Sequence, residues 1–110
     1  MKHAITEEGD LAVVALEGEI DLEFSRRVRD VLLEAVGNYR GVVVDLTGVS
    51  MVDSSGVASM LEAFQTARKR GKGFILAAAN ENVTKVLRLA RLDTVFELAD
   101  DVEAAKQALA

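Results

Sequence analysis

The sequence predicts an α/β fold, a mixed β-sheet of four to five strands with about four helices packed against it. Two observations carry this. The hydrophobic pattern alternates between strand and helix periods in the order ββαβαβαβα. One segment, Val42-Val43-Val44-Asp45-Leu46, is β-branched and mostly apolar without alternation, as a central strand covered on both faces must be. Strands alternating with helices after an opening hairpin imply right-handed crossovers that lay the helices on the sheet. At 110 residues, the chain is expected to form a single domain, 1–110, with one ordinary core.

Residues 2–7 and 11–17 read as two strands around the turn Glu8-Gly9-Asp10, forming a hairpin. From Phe24 the period becomes helical: Phe24, Val28, Val31, Leu32 and Ala35 share one face, with Arg26, Arg27, Arg29, Asp30 and Glu34 mostly on the other. Asp21 is placed to cap this helix, and the three arginines read as a solvated face. After strand 42–46 a loop from Thr47 to Asp53 is predicted. A second amphipathic helix then turns Val57, Met60, Leu61 and Phe64 inward and stops at Gly71. A strand over 74–79 follows. The third helix carries Val83, Val86, Leu87 and Ala90 at helical spacing, then come a short strand from Thr94 to Leu98 and a last helix from about Asp100.

Composition excludes several function classes. A net charge of −5 argues against nucleic acid, whose phosphates need a surplus of Lys and Arg on one face. The absence of cysteine removes disulfides, thiolate catalysis and Cys-ligated metals, and His3 is the only histidine, so no metal site is expected. No run approaches the roughly 20 apolar residues of a membrane span, and the first residues are too polar for a signal peptide, so a cytoplasmic protein with no membrane partner is expected.

The informative segment runs from Val43 through Asp53-Ser54-Ser55-Gly56 to Val57, where a buried strand leads to a helix start. Ser54 sits at or beside the N-cap, where free backbone N–H groups and the positive end of the helix dipole accommodate a phosphate. Gly56 leaves room for close approach by another chain or a nucleotide phosphate. Local chemistry leaves two roles open, since Asp-Ser-Ser-Gly is also an ordinary capping sequence. A hydrolase nucleophile would need a Gly-x-Ser-x-Gly elbow and a histidine base. A P-loop would need Gly-x-x-x-x-Gly-Lys-Ser/Thr, which does not occur. A phosphoacceptor receiver would need an early acidic pair, which is missing. Asp45, at a strand end, is either a site residue or a loop hydrogen-bonding group. Ser59 and Glu62 are predicted to share the exposed side of the second helix and to border an interface.

Two motifs narrow the choice. Val44-Asp45-Leu46 followed by Met51-Val52-Asp53-Ser54-Ser55-Gly56-Val57-Ala58, and upstream Gly18-Glu19-Ile20-Asp21, resemble the signatures of the STAS domain family, which includes anti-sigma factor antagonists and sulfate-transporter tails. The segment Leu87 to Phe96 is similar to the family's last helix-to-strand passage, so the resemblance covers nearly the whole chain. Ala58 stands where the family's second motif glycine would be, and Arg91 where a small residue or glycine is usual. The resemblance implies the STAS fold and a bacterial, phosphorylation-controlled anti-sigma factor antagonist. Ser54 would accept phosphate from an anti-sigma factor serine kinase, flanked by Asp21 and Asp53. With Ser55, Gly56 and Ser59, these two aspartates make the predicted partner-binding surface. The unphosphorylated form would bind the kinase and free the sigma factor, phosphorylation would end that binding, and a PP2C-type serine phosphatase would restore it. The domain itself would catalyse nothing, use no cofactor, and be a monomer or weak dimer. The alternative is a non-switching STAS subunit of an ABC-type lipid transport system or a larger signalling complex.

Overall fold

A computed structural model describes residues 2–110, which form five strands and four helices. In chain order these are β1 (Lys2–Glu8), β2 (Leu11–Ile20), α1 (Leu22–Asn38), β3 (Gly41–Val52), α2 (Ser54–Lys69), β4 (Gly73–Ala77), α3 (Glu81–Leu89), β5 (Glu97–Ala99) and α4 (Val102–Leu109). The sheet takes its strands in sequence order. β1 is antiparallel to β2, and β2 through β5 run parallel. The predicted order and mixed sheet are therefore observed.

The two-residue period of the strands divides the core. Ala12, Val14 and Leu16 of β2, Val42, Val44 and Leu46 of β3, and Phe74 and Leu76 of β4 face one way, packed against α1, α2 and α3. Right-handed crossovers that always step in the same direction lay every connecting helix on the same face, which is why these three helices share it. The intervening residues Val13, Val43, Ile75 and Ala77 face the other way, where α4 covers them with Ala105, Val102 and Leu109. Phe96 reaches into the three-helix side and meets Phe64 edge-on, with ring centroids 5.4 Å apart.

Local chemistry sets the helix ends. Asp21 caps α1 by accepting from the Phe24 N–H at 3.2 Å. Gly71 (φ +68°) closes α2 in the left-handed conformation, its N–H donating to Arg68 and that of Lys72 to Ala67.

Four predicted boundaries move, the first being the end of β2, predicted at Glu17 and observed at Ile20. The loop from Thr47 to Asp53 is strand, because β3 continues to Val52 beside an equally extended β2. Its alternation was masked by two register shifts, between Ala15 and Glu17 and between Gly18 and Glu19, at each of which β3 spends one extra residue. Asp45 serves the first bulge as a loop hydrogen-bonding group, accepting from the Thr47 N–H at 3.0 Å and hydroxyl at 2.6 Å. The strand predicted over 74–79 ends at Ala77, because Ala78 adopts φ +61° and donates its N–H to Ala99. The strand predicted from Thr94 begins only at Glu97, because Val95 and Phe96 both donate back to the Leu92 carbonyl in a turn.

Candidate functional site

The site is carried on an overhang of the sheet. Pairing between β3 and β4 ends at Asp45 opposite Ala77, whereas β2 and β3 stay paired as far as Ile20 opposite Val52. Beyond the body of the sheet, β3 thus has a strand on one side only. Asn80 holds its free edge: Nδ2 donates to the carbonyls of Val49 (3.0 Å) and Ser50 (3.3 Å), while Oδ1 accepts from the Val83 N–H and caps α3. This residue was missed in reading the sequence. The available signal was an N-cap asparagine just ahead of Val83, the first apolar residue of the third helix.

At the tip, Ile20 and Val52 are register partners, and the next residue on each strand, Asp21 or Asp53, caps the helix that follows. The structure therefore brings together two aspartates that lie far apart in sequence. Asp53 Oδ1 accepts from the N–H groups of Ser55 (3.0 Å) and Gly56 (3.1 Å) and from the Ser55 hydroxyl (2.5 Å). The Ser55 hydroxyl is the main reason that the Asp53 carboxyl lies below its ordinary pKa, with the Gly56 N–H next and the Leu22 amide contributing.

The cap distinguishes the two serines. Ser55 is half-buried with its hydroxyl committed to Asp53, whereas Ser54, the first residue of α2, is exposed and its hydroxyl makes no hydrogen bond among the described residues. The expectation of free N–H groups at this helix start needs correcting, because the Asp53 side chain already takes those of Ser55 and Gly56.

Gly56 is buried, and its role is internal. A Cβ there would lie 2.6 Å from Cγ2 of both Ile20 and Val52 and 3.0 Å from the Ile20 carbonyl, so glycine lets α2 start against the strand ends. Ser59 is a second correction. It is not on the exposed side of α2: it is only 7% exposed, and its hydroxyl donates to the Ser25 carbonyl of α1 at 2.8 Å and to Ser55 O at 3.1 Å. The buried stripe of α2 runs through Gly56, Met60, Ala63 and Ala67, rotated toward Ser59 because α1 packs on that flank. Glu62 is exposed and paired with Arg29 of α1.

Beside Ser54 runs an apolar groove between α2 and α3, lined by Val57, Ala58, Leu61, Val86, Ala90 and Leu92 as well as by Ser54 itself. Leu22 and Leu89 are 76% and 77% exposed, and Met51 is also exposed. Among the described residues no three His, Asp or Glu side chains converge on a metal-sized site, and no helix is long and apolar enough to cross a membrane.

The family model described as "Mlab, STAS domain" matches residues 3–100. The anti-sigma-B factor antagonist of Listeria monocytogenes is 28% identical over 77% of this chain and 75% of its own length. The intermembrane phospholipid transport system binding protein MlaB of Escherichia coli is 32% identical over 72% of this chain and 79% of its own. The RsbT co-antagonist protein RsbRA of Bacillus subtilis is 29% identical, and the match spans 29% of that longer protein. Among solved structures, an anti-sigma factor antagonist of Mycobacterium paratuberculosis superposes with a TM-score of 0.89 at 22% identity, covering 98% of this chain and 92% of that one. The antagonist SpoIIAA in its unphosphorylated form gives 0.80 at 21% identity, covering 97% and 96%, and the Bacillus protein in its phosphorylated form gives 0.74 at 21%, covering 97% and 99%. With a family match over nearly the whole chain and the same fold in these structures, the chain belongs to the STAS domain family, alongside the anti-sigma factor antagonists.

Proposed function

We propose that this STAS domain is an anti-sigma factor antagonist that changes partners when Ser54 is phosphorylated. Unphosphorylated, it binds an anti-sigma factor serine kinase in the cytoplasm; phosphorylated, it lets go, and a PP2C-type serine phosphatase resets it. The chain itself catalyses no step. The observation that carries this reading is the contrast at the helix start: Ser54 is exposed with its hydroxyl uncommitted, while Ser55 is held by Asp53. SpoIIAA, similar in fold, exists in unphosphorylated and phosphorylated forms.

Release follows from charge. A phosphoserine brings about −1.5 to −2 charges at pH 7 next to Asp53 and Asp21, and any carboxylate or nucleotide phosphate of the partner facing that point is repelled. At roughly 4 Å and an effective dielectric near 20, a unit-charge repulsion is on the order of 4 kcal/mol before screening, and this upper bound corresponds to about three decades of affinity. Asp21 and Asp53 set the position of the acceptor, Ser55 and Gly56 complete the cap, and the apolar groove supplies contact area. The test is phosphopeptide mapping of protein isolated with its kinase and ATP, beside binding of the Ser54→Ala and Ser54→Asp variants to that kinase. Phosphate on Ser54, persistent binding by Ser54→Ala and weak binding by Ser54→Asp are expected. Phosphate on Ser55 or Thr47 would overturn the assignment.

The Mlab family match and the 32% identity to MlaB favour a second reading, a constitutive subunit that uses the same apolar groove without modification. In that case Ser54→Ala and Ser54→Asp would retain the same partner equally, and that partner would be a transport ATPase and not a kinase.

A further inference from the structure

We infer that β1 is a self-association edge through which two copies of this chain pair antiparallel about a two-fold axis at Ile5, joining their sheets into one. β1 is hydrogen-bonded to β2 on one side and is the last strand of the sheet on the other. Every residue of it is exposed except His3, which is half-buried. Proteins usually blunt such an edge with proline, a bulge or charged side chains, and the charges that β1 does carry are complementary to a second copy of itself. This chain contains no proline, and the β1–β2 register runs from Lys2 opposite Glu17 to Glu8 opposite Leu11 without a shift.

The hairpin decides which backbone groups face outward. Glu8 and Leu11 flank the two-residue turn Gly9-Asp10, and a turn of that length closes on a hydrogen-bonded pair. Alternation along an antiparallel ladder then directs the N–H and C=O of Glu8, Thr6, Ala4 and Lys2 toward β2, and those of His3, Ile5 and Glu7 toward the free edge. Paired antiparallel about Ile5, a second copy meets these outward groups with its own: Ile5 opposite Ile5, and His3 opposite Glu7 twice.

The side chains select this register. Read from both ends, Lys2-His3-Ala4-Ile5-Thr6-Glu7-Glu8 is charge-complementary to itself: Lys2 falls opposite Glu8 and His3 opposite Glu7, with the apolar Ile5 pair at the centre. All seven residues of the strand are used. A parallel in-register pair would instead set Glu7 and Glu8 against their own copies. Both carboxylates are already ordered, Glu8 by Lys106 at 2.8 Å and Glu7 by the Tyr39 hydroxyl, so little freedom is lost when the second strand arrives. The contact is isologous and closes at two copies. It is separate from Ser54.

Sedimentation of the full chain from micromolar to millimolar concentration tests this. A concentration-dependent monomer–dimer equilibrium is expected. Ile5→Pro removes an outward N–H from each copy while sparing the β1–β2 ladder, and should weaken association roughly tenfold, the scale of two lost hydrogen bonds, with the thermal melt unchanged. Lys2→Glu and Glu8→Lys should each self-associate less than the parent, while an equimolar mixture of the two associates more tightly than either alone. A chain that stays monomeric at millimolar concentration would overturn the inference, as would a dimer indifferent to a folded Ile5→Pro variant. If Ile5→Pro does not fold, the mixing experiment decides: a mixture no tighter than its components refutes the register.

Discussion

Replacing Gly56 with alanine tests whether the helix start is seated on the strand ends as described. The added Cβ would lie 2.6 Å from two methyl carbons, Cγ2 of Ile20 and of Val52, and 3.0 Å from a backbone oxygen. Ordinary contacts between carbons are about 3.5 to 4.0 Å, so about 1 Å must be found somewhere. Neither neighbour yields easily: both are β-branched with a stiff χ1, and each is 1% exposed within the core. Overpacking of this kind costs about 1–3 kcal/mol. Alanine recovers up to about 1 kcal/mol of helix propensity over glycine. The net expectation is a loss of about 1–2 kcal/mol, which for a chain of this size lowers the melting temperature by roughly 5–15 °C. Urea unfolding followed by circular dichroism measures it, with the m-value unchanged. Gly37 in α1 is the control: a Cβ there meets only Arg70 Nη1, at 3.8 Å, so Gly37→Ala should gain a few tenths of a kcal/mol or more from helix propensity. A Gly56→Ala variant as stable as the parent would refute the seating argument.

Three further outcomes follow from the same geometry. The Asp53 carboxyl is held below its ordinary pKa in the folded state, so its contribution is present above the unfolded value of about 3.9 and is lost as pH falls through the folded one. Asp53→Asn, which still caps, should leave neutral-pH stability within about 1 kcal/mol and flatten the acid limb of a urea midpoint against pH. Ser59→Ala should cost about 1 kcal/mol through the lost hydrogen bond to the Ser25 carbonyl of α1 and the one to the Ser55 carbonyl within α2, and leave partner affinity unchanged, whereas a loss of affinity at equal stability would return Ser59 to the interface. Arg91 adopts φ +58°, a left-handed conformation costing an L-residue about 1–2 kcal/mol, so Arg91→Gly should raise stability by about 0.5–1 kcal/mol after the added freedom of the unfolded chain is deducted, as thermal melts would show.

The element order was legible because each helix has a clear apolar stripe and each central strand an apolar run, densely β-branched in β3. Val42 to Val44 and the stripe from Val28 to Ala35 needed no tertiary information. The overhang was not legible. Thr47 to Val52 contains a glycine and two polar residues, and the bulges break the alternation by which a strand is recognised. Ser54, Asp53 and Asp21 could be placed because capping is local chemistry that motif spacing preserves. The burial of Ser59 was not, since it depends on the flank that α1 occupies, a fact of packing between helices. Gly56 showed that a small residue was required there, but its neighbour proved to be this chain's own strands and not an incoming molecule.

The Asn80 tie has a consequence for how this domain can vary. The overhang is a cantilever: its root is the five-stranded sheet, its load is the start of α2, and its free side is braced chiefly by the amide of Asn80, the N-cap of the third helix, with the Asn82 amide adding a longer contact to the Ser50 carbonyl at 3.5 Å. Stiffness at the tip is therefore set by a residue that never touches Ser54 by any hydrogen bond described, and the brace and the cap of α3 are the same side chain. Sequence drift that moved the beginning of α3 would be felt first as play at the serine, long before it was felt as instability of the core. A domain mounted in this way holds the tip of its sheet through a fastening on a neighbouring helix, so substitutions at Asn80 should loosen that tip before they loosen the body of the sheet.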